Sequence, residues 1–186
     1  YGKIQGSILS KDVLLTNSVI DFETSIILPS VDSSKISLYT GLKVNSDFTI
    51  NTDTAAAQAF FAFGNRTPLA ILGNHSGNLL FIYSANNKNF VTDLGLSLKA
   101  DTLYNLKIKI NKYRKLQIFV NGIQYGVTSS DGATPNIAAN SYDINTSQLN
   151  DSTAMYPIVG IKNVVAEEMT CIVNYVKCSR SAAKIT

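Results

Sequence analysis

From Leu103 to Asn111 apolar and polar side chains alternate one for one, and this period of two constrains the fold more than any other feature of the chain. Tyr104, Leu106, Ile108 and Ile110 share one face, and Asn105, Lys107 and Lys109 share the other, the pattern of a strand with one side in water. After a short polar stretch, residues 115–121 resume the alternation and end at Asn121-Gly122, a pair that supplies the positive φ angles of a type I′ turn. Further strands are predicted over 18–28, 36–44, 48–51, 57–63, 69–72, 79–83, 96–99, 157–161 and 170–177, with turn chemistry at 64–65, 73–78, 85–89 and 131–132. No run of ten residues carries a helical stripe. The expected fold is all-β, an antiparallel two-sheet jelly-roll β-sandwich.

The 186 residues predict a single domain over 1–186, with residues 1–16 a linker or an edge strand. A fold of this size buries roughly 70% of its unfolded surface, so neither a metal nor a disulfide framework is needed to hold it together. The net charge of +3 is too small for a nucleic-acid partner, which a domain-wide basic excess would signal. Apolar runs stay well short of the roughly 18 residues of a membrane span, so no membrane insertion is expected. Opening at Tyr1 with neither Met nor a leader pattern, the sequence suggests a processed product or a module of a larger multidomain chain or assembly. Cys171 and Cys178, seven apart in one predicted strand, should face opposite ways about 23 Å apart, too far for a bridge. Two free thiols are therefore expected.

The hairpin residues carry a resemblance. An aromatic-led alternating strand from Tyr104, followed by Leu116-Gln117-Ile118-Phe119-Val120-Asn121-Gly122, resembles the central hairpin of the concanavalin A-like lectin and laminin-G-like superfamily. Phe60-Phe61-Ala62-Phe63-Gly64-Asn65 is similar to a strand that precedes a hairpin in such modules. Ile158-Val159-Gly160-Ile161 and residues 171–176 are similar to their final pair of strands. The likeness covers residues 18–178, with Tyr104 standing where many members have Trp. It implies a jelly-roll fold, a glycan or glycosylated surface protein as partner, and calcium as a common cofactor, with Asp131 and Asp143 or Asp151 as candidate ligands on loops.

Several residues are candidates for ligand contact. Phe119 alternates with Ile118 and Val120 and so faces away from them; with Phe81 and Tyr83 it could stack on a sugar ring, or each could fill the core. Lys107, Lys109, Lys112, Arg114 and Lys115 form a basic cluster that could hold an acidic glycan, although edge strands also carry lysines to prevent sheet-to-sheet aggregation. The polar stretch 129–155 is a long connection of the kind where binding sits, and with Tyr125 and Tyr142 it could add stacking and hydrogen bonds. Four Asn-x-Ser/Thr sequons, at Asn65, Asn74, Asn145 and Asn150, are no more than the abundance of these residue types supplies.

Catalytic signals are thin. A glucanase on such a scaffold would set carboxylates two residues apart on one strand; Glu167-Glu168 are adjacent and face opposite ways. The sole histidine, His75, lies in a turn among Gly, Asn and Ser. The expected function is a non-catalytic carbohydrate-binding or adhesion module with an extracellular, cell-surface or virion-surface location. A structural or protein-interaction β-sandwich and a carbohydrate-active enzyme are the alternatives.

Overall fold

The computed structural model describes residues 14–15, 19–29, 31, 35–43, 60–65, 77–85, 88–110, 115–126, 144–145, 154–163 and 170–181. All regular structure among them is β: β1 (Leu14–Leu15), β2 (Val19–Ile27), β3 (Ile36–Lys43), β4 (Phe60–Gly64), β5 (Asn78–Ala85), β6 (Lys88–Ser97), β7 (Leu103–Ile110), β8 (Lys115–Val120), β9 (Ile123–Tyr125), β10 (Ile144–Asn145), β11 (Ala154–Asn163) and β12 (Ile172–Ser181). Among the described residues no helix is long and apolar enough to cross a membrane. The first sheet runs β1-β11-β3-β4-β5-β6 and the second β10-β8-β7-β2-β12, with β9 also paired to β8; every pairing is antiparallel. The jelly-roll sandwich expected from the alternation is therefore present. Leu14 and Leu15 pair with Met155 and Ala154 at the edge of the first sheet.

Alternation builds the core. Ile20, Phe22 and Ile26 on β2, Tyr104, Leu106, Ile108 and Ile110 on β7, and Leu116, Ile118 and Val120 on β8 line one inner face. Ile36, Leu38 and Leu42 on β3, Phe61 and Phe63 on β4, and Leu79 and Phe81 on β5 line the other. Phe63 and Phe81 meet edge to face with centroids 5.2 Å apart, so Phe81 fills the core and is not available to a ligand. Tyr104, which leads β7, is buried and its hydroxyl accepts the Lys99 N–H at 2.8 Å.

Two asparagines extend the ladders with their side chains. Past the end of β4, the wholly buried Asn65 accepts the Leu38 N–H through Oδ1 at 2.9 Å and donates Nδ2 to the Ile36 carbonyl at 3.0 Å. It thus satisfies two backbone groups of β3 that no strand residue reaches. Asn121 (φ 51°) and Gly122 (φ 81°) make the tight β8–β9 turn as the sequence predicts. Asn121 also accepts the Asn105 N–H through Oδ1, and its own N–H donates to the Asn105 carbonyl, both at 2.8 Å. At Gly41, β3 and β4 approach so closely that a Cβ would stand 2.0 Å from the Phe61 carbonyl oxygen.

Two bulges change the sequence reading. β6 extends well beyond the predicted 96–99, because Leu94 and Gly95 (φ 65°) bulge against Leu79 and Leu80 and break the period. Asp93 anchors the bulge, accepting the Gly95 N–H at 2.8 Å and the Asn78 amide at 3.0 Å. On β12 the register shifts between Val173 and Tyr175, so Asn174 is an extra residue and the odd Cys171–Cys178 separation acts as an even one. The expectation that the two thiols face opposite ways is thus corrected: both pack against the core.

Both cysteines are free thiols, as the sequence predicts. Burial pushes Cys171 up to about 11 and Cys178 likewise to about 11, the Asp21 charge adding to the second. Unfolded thiols ionise near their ordinary 9.0, while the folded ones keep their protons to about 11, so stability should fall as pH rises through that window. Native protein at pH 8 should react slowly with a thiol-disulfide reagent, and denatured protein should titrate two thiols at once. Fast reaction of either thiol in the native state would contradict this packing.

Candidate functional site

The outward faces of the two sheets differ in kind. On the first sheet, Ser37, Tyr39 and Lys43 of β3, Ala62 of β4, and Leu80 and Ile82 of β5 point away from the core yet are buried. The middle of that face is closed to solvent at these positions, so no open row of aromatics lies there among the described residues. On the second sheet the outward residues named below are half-buried or exposed apart from the buried Ser25, and this is the face a ligand can reach.

Register places its side chains in rows. One runs Lys177, Glu23, Lys107, Phe119, Gln124 across β12, β2, β7, β8 and β9; the next runs Ser179, Asp21, Lys109, Gln117; a third begins Tyr175, Ser25, Asn105. With strands about 4.8 Å apart, the five-strand row is about 19 Å wide. Lys107 Nζ lies 2.9 Å from Asp21 Oδ1 and 3.9 Å from Glu23 Oε2, with all three side chains about one-third exposed. Tyr175 donates its hydroxyl to Glu23 Oε1, and this bond raises the phenol's pKa above its ordinary value. Asn174 reaches Ser25 Oγ at 3.4 Å, and the buried Thr24 hydroxyl donates to the Tyr175 carbonyl at 2.9 Å, tying β12 to β2 at its bulge.

The structure brings three of the sequence candidates together: Lys107, Lys109 and Phe119 share the open face, with Phe119 next to Lys107 on one side and Gln124 on the other. Tyr125 pairs with Ile118 and packs against the core, so it does not join Phe119. The basic cluster is offset where it is described, since Lys107 is ion-paired and Lys109 sits in register beside Asp21. Tyr83 lies on β5 between Phe61 and Phe90. Arg114, Tyr142, Asp131, Asp143, Asp151, His75, Glu167 and Glu168 lie outside the described residues. Among the described residues no cluster of His, Cys, Asp or Glu could hold a metal ion.

Sequence reasoning passed over Asp21 and Glu23. They flank Phe22 on one strand and share its outward face, which is the two-residue spacing sought only at Glu167-Glu168. The signal was available: two acids around a core phenylalanine in a predicted strand must point to solvent together.

No protein-family model matches the sequence, and no curated protein matches it. Among solved structures, the family 7 alginate lyase A1-II′ in complex with product matches 92% of this chain at 11% identity and a TM-score of 0.52; the chain spans 66% of that lyase. A polysaccharide lyase of family 18 matches 91% of the chain and 75% of its own length at 11% identity, with a TM-score of 0.50. Sheep galectin-11 in complex with glycerol matches 90% of the chain and 93% of its own length at 10% identity, with a TM-score of 0.48. At such identities the likeness to the two lyases is one of fold alone: the chain is a jelly-roll β-sandwich.

Proposed function

We propose that the chain is a non-catalytic carbohydrate-binding module whose ligand lies across the open face of the second sheet. The observation that carries this reading is the half-buried Phe119 on that face, flanked by Lys107, Gln117 and Gln124. An aromatic ring set among hydrogen-bonding side chains suits a sugar, which has apolar C–H faces and a hydroxyl rim. The scaffold supports it too, since alginate lyases act on a polysaccharide from a similar sandwich. An extracellular, cell-surface or virion-surface setting, with a glycan or glycosylated surface protein as partner, belongs to the same reading.

An oligosaccharide array followed by calorimetry tests it. The parent should bind a defined set of glycans, and Phe119→Ala should weaken binding about tenfold or more, at low and high salt alike. Binding unchanged in Phe119→Ala would remove this face from consideration. A second reading, a polysaccharide-cleaving enzyme, is favoured by Asp21 and Glu23 standing two residues apart on one face. Against it, Lys107 Nζ is bonded between the two carboxylates where a glycosidic oxygen would have to enter. Release of reducing ends or unsaturated products from polysaccharides would establish it.

A further inference from the structure

Resting on that reading, we infer that the open face selects uncharged sugar units, and that the Asp21–Glu23–Lys107 cluster makes the selection. In the two central rows of this face three lysines, Lys107, Lys109 and Lys177, alternate with two carboxylates, Asp21 and Glu23. Lys177, Glu23 and Lys107 stand side by side in one row, and Asp21 sits next to Lys109 in the next. The cation between the two carboxylates is already taken, because Lys107 is held by Asp21 at 2.9 Å and approaches Glu23 at 3.9 Å. A sulfate or uronate arriving at Lys107 would also meet the two carboxylates that hold it, and like charges in that position repel.

A neutral sugar meets a different surface. Each carboxylate has lone pairs beyond those used by Lys107 or Tyr175, and ionised acceptors make the stronger hydrogen bonds to hydroxyls. The ion pair and the Tyr175 bond hold both carboxylates in place before a ligand arrives, which lowers the ordering cost of binding. Phe119 is the neighbour of Lys107 across one strand spacing of about 4.8 Å, close to the length of one sugar ring. A chain of hexoses lying along the row would stack one unit on Phe119 and place the next over Lys107, so that it and the unit after it present hydroxyls to Asp21 and Glu23.

The test uses two sets of probes on the full chain: cellohexaose, laminarihexaose and fully N-acetylated chitohexaose as neutral ligands, and an alginate hexamer and a heparin hexasaccharide as acidic ones. The parent should prefer a neutral hexamer by at least tenfold, with affinity changing little between low and high salt. In Asp21→Asn/Glu23→Gln, which keeps size and removes charge, neutral binding should fall about tenfold, while acidic binding should rise and become salt-dependent as Lys107 is released. An unchanged circular dichroism spectrum and melting curve would show that the variant is folded, and Lys177→Ala should leave the preference in place. Tighter binding of the acidic hexamers by the parent, weakening with salt, would overturn the inference and leave the carbohydrate module standing. Equal preference in parent and double variant would overturn the role of the cluster. Binding of neither set would overturn both this inference and the proposed function.

Discussion

Gly41→Ala is expected to lower stability by on the order of 4 kcal/mol or more. The added carbon would stand 2.0 Å from the Phe61 carbonyl oxygen and 2.7 Å from Ala62 Cα, both backbone atoms that no side-chain rotation can move. Relief requires β3 and β4 to separate at the middle of the first sheet, which also disturbs Phe61 and Phe63 in the core. Urea unfolding measures it, with Gly122→Ala as the comparison. Gly122 has φ 81° but open space around it, so its cost should stay near about 1 kcal/mol. A Gly41→Ala protein as stable as the Gly122→Ala protein would mean that the two strands are not as close as described.

Asn65→Ala should cost about 3 kcal/mol, because it strands the buried Leu38 N–H and Ile36 carbonyl at once and each lost partner is worth about 1–3 kcal/mol. For a domain of this size that is a fall in Tm of about 6–12 °C. Asn65→Asp separates the two bonds. The carboxylate still accepts from Leu38 but faces the Ile36 oxygen, so this variant should be destabilised at pH 7 and recover as pH falls toward about 4, where a protonated oxygen can donate again. Calorimetric melts at the two pH values check it, and a pH-independent defect would contradict the assigned bonds.

Local pattern carried much of this fold. The β7 and β8 strands follow from strict alternation, and the turn between β8 and β9 from Asn121-Gly122. The same turn fixes a pairing in which Phe119 meets Gln124 and Tyr125 meets Ile118, so the inward position of Tyr125 was within reach of the sequence. Bulges were not: an extra residue at Asn174 or at Leu94-Gly95 looks like a break in the pattern until the partner strand is known. The face itself was half legible. Parity placed Lys107, Lys109 and Phe119 together, but the carboxylates that neutralise Lys107 come from β2, more than eighty residues earlier, and only the pairing of β2 with β7 brings them there.

The burial of Asn65 bears on how this protein can be made. Asn65-Arg66-Thr67 is an acceptor sequence for N-linked glycosylation, and both amide atoms of Asn65 are spent inside the sandwich. A host that attaches sugars to the emerging chain modifies asparagines before the strands have closed over them, and a glycan on this nitrogen leaves β3 without its two bonds. Secretion from such a host therefore sets modification in a race against folding, with the glycosylated fraction retained as misfolded material, whereas a bacterial cytoplasm imposes no such race. Thr67→Ala removes the acceptor sequence while keeping Asn65, and the gain in secreted yield it brings would measure how often the race is lost.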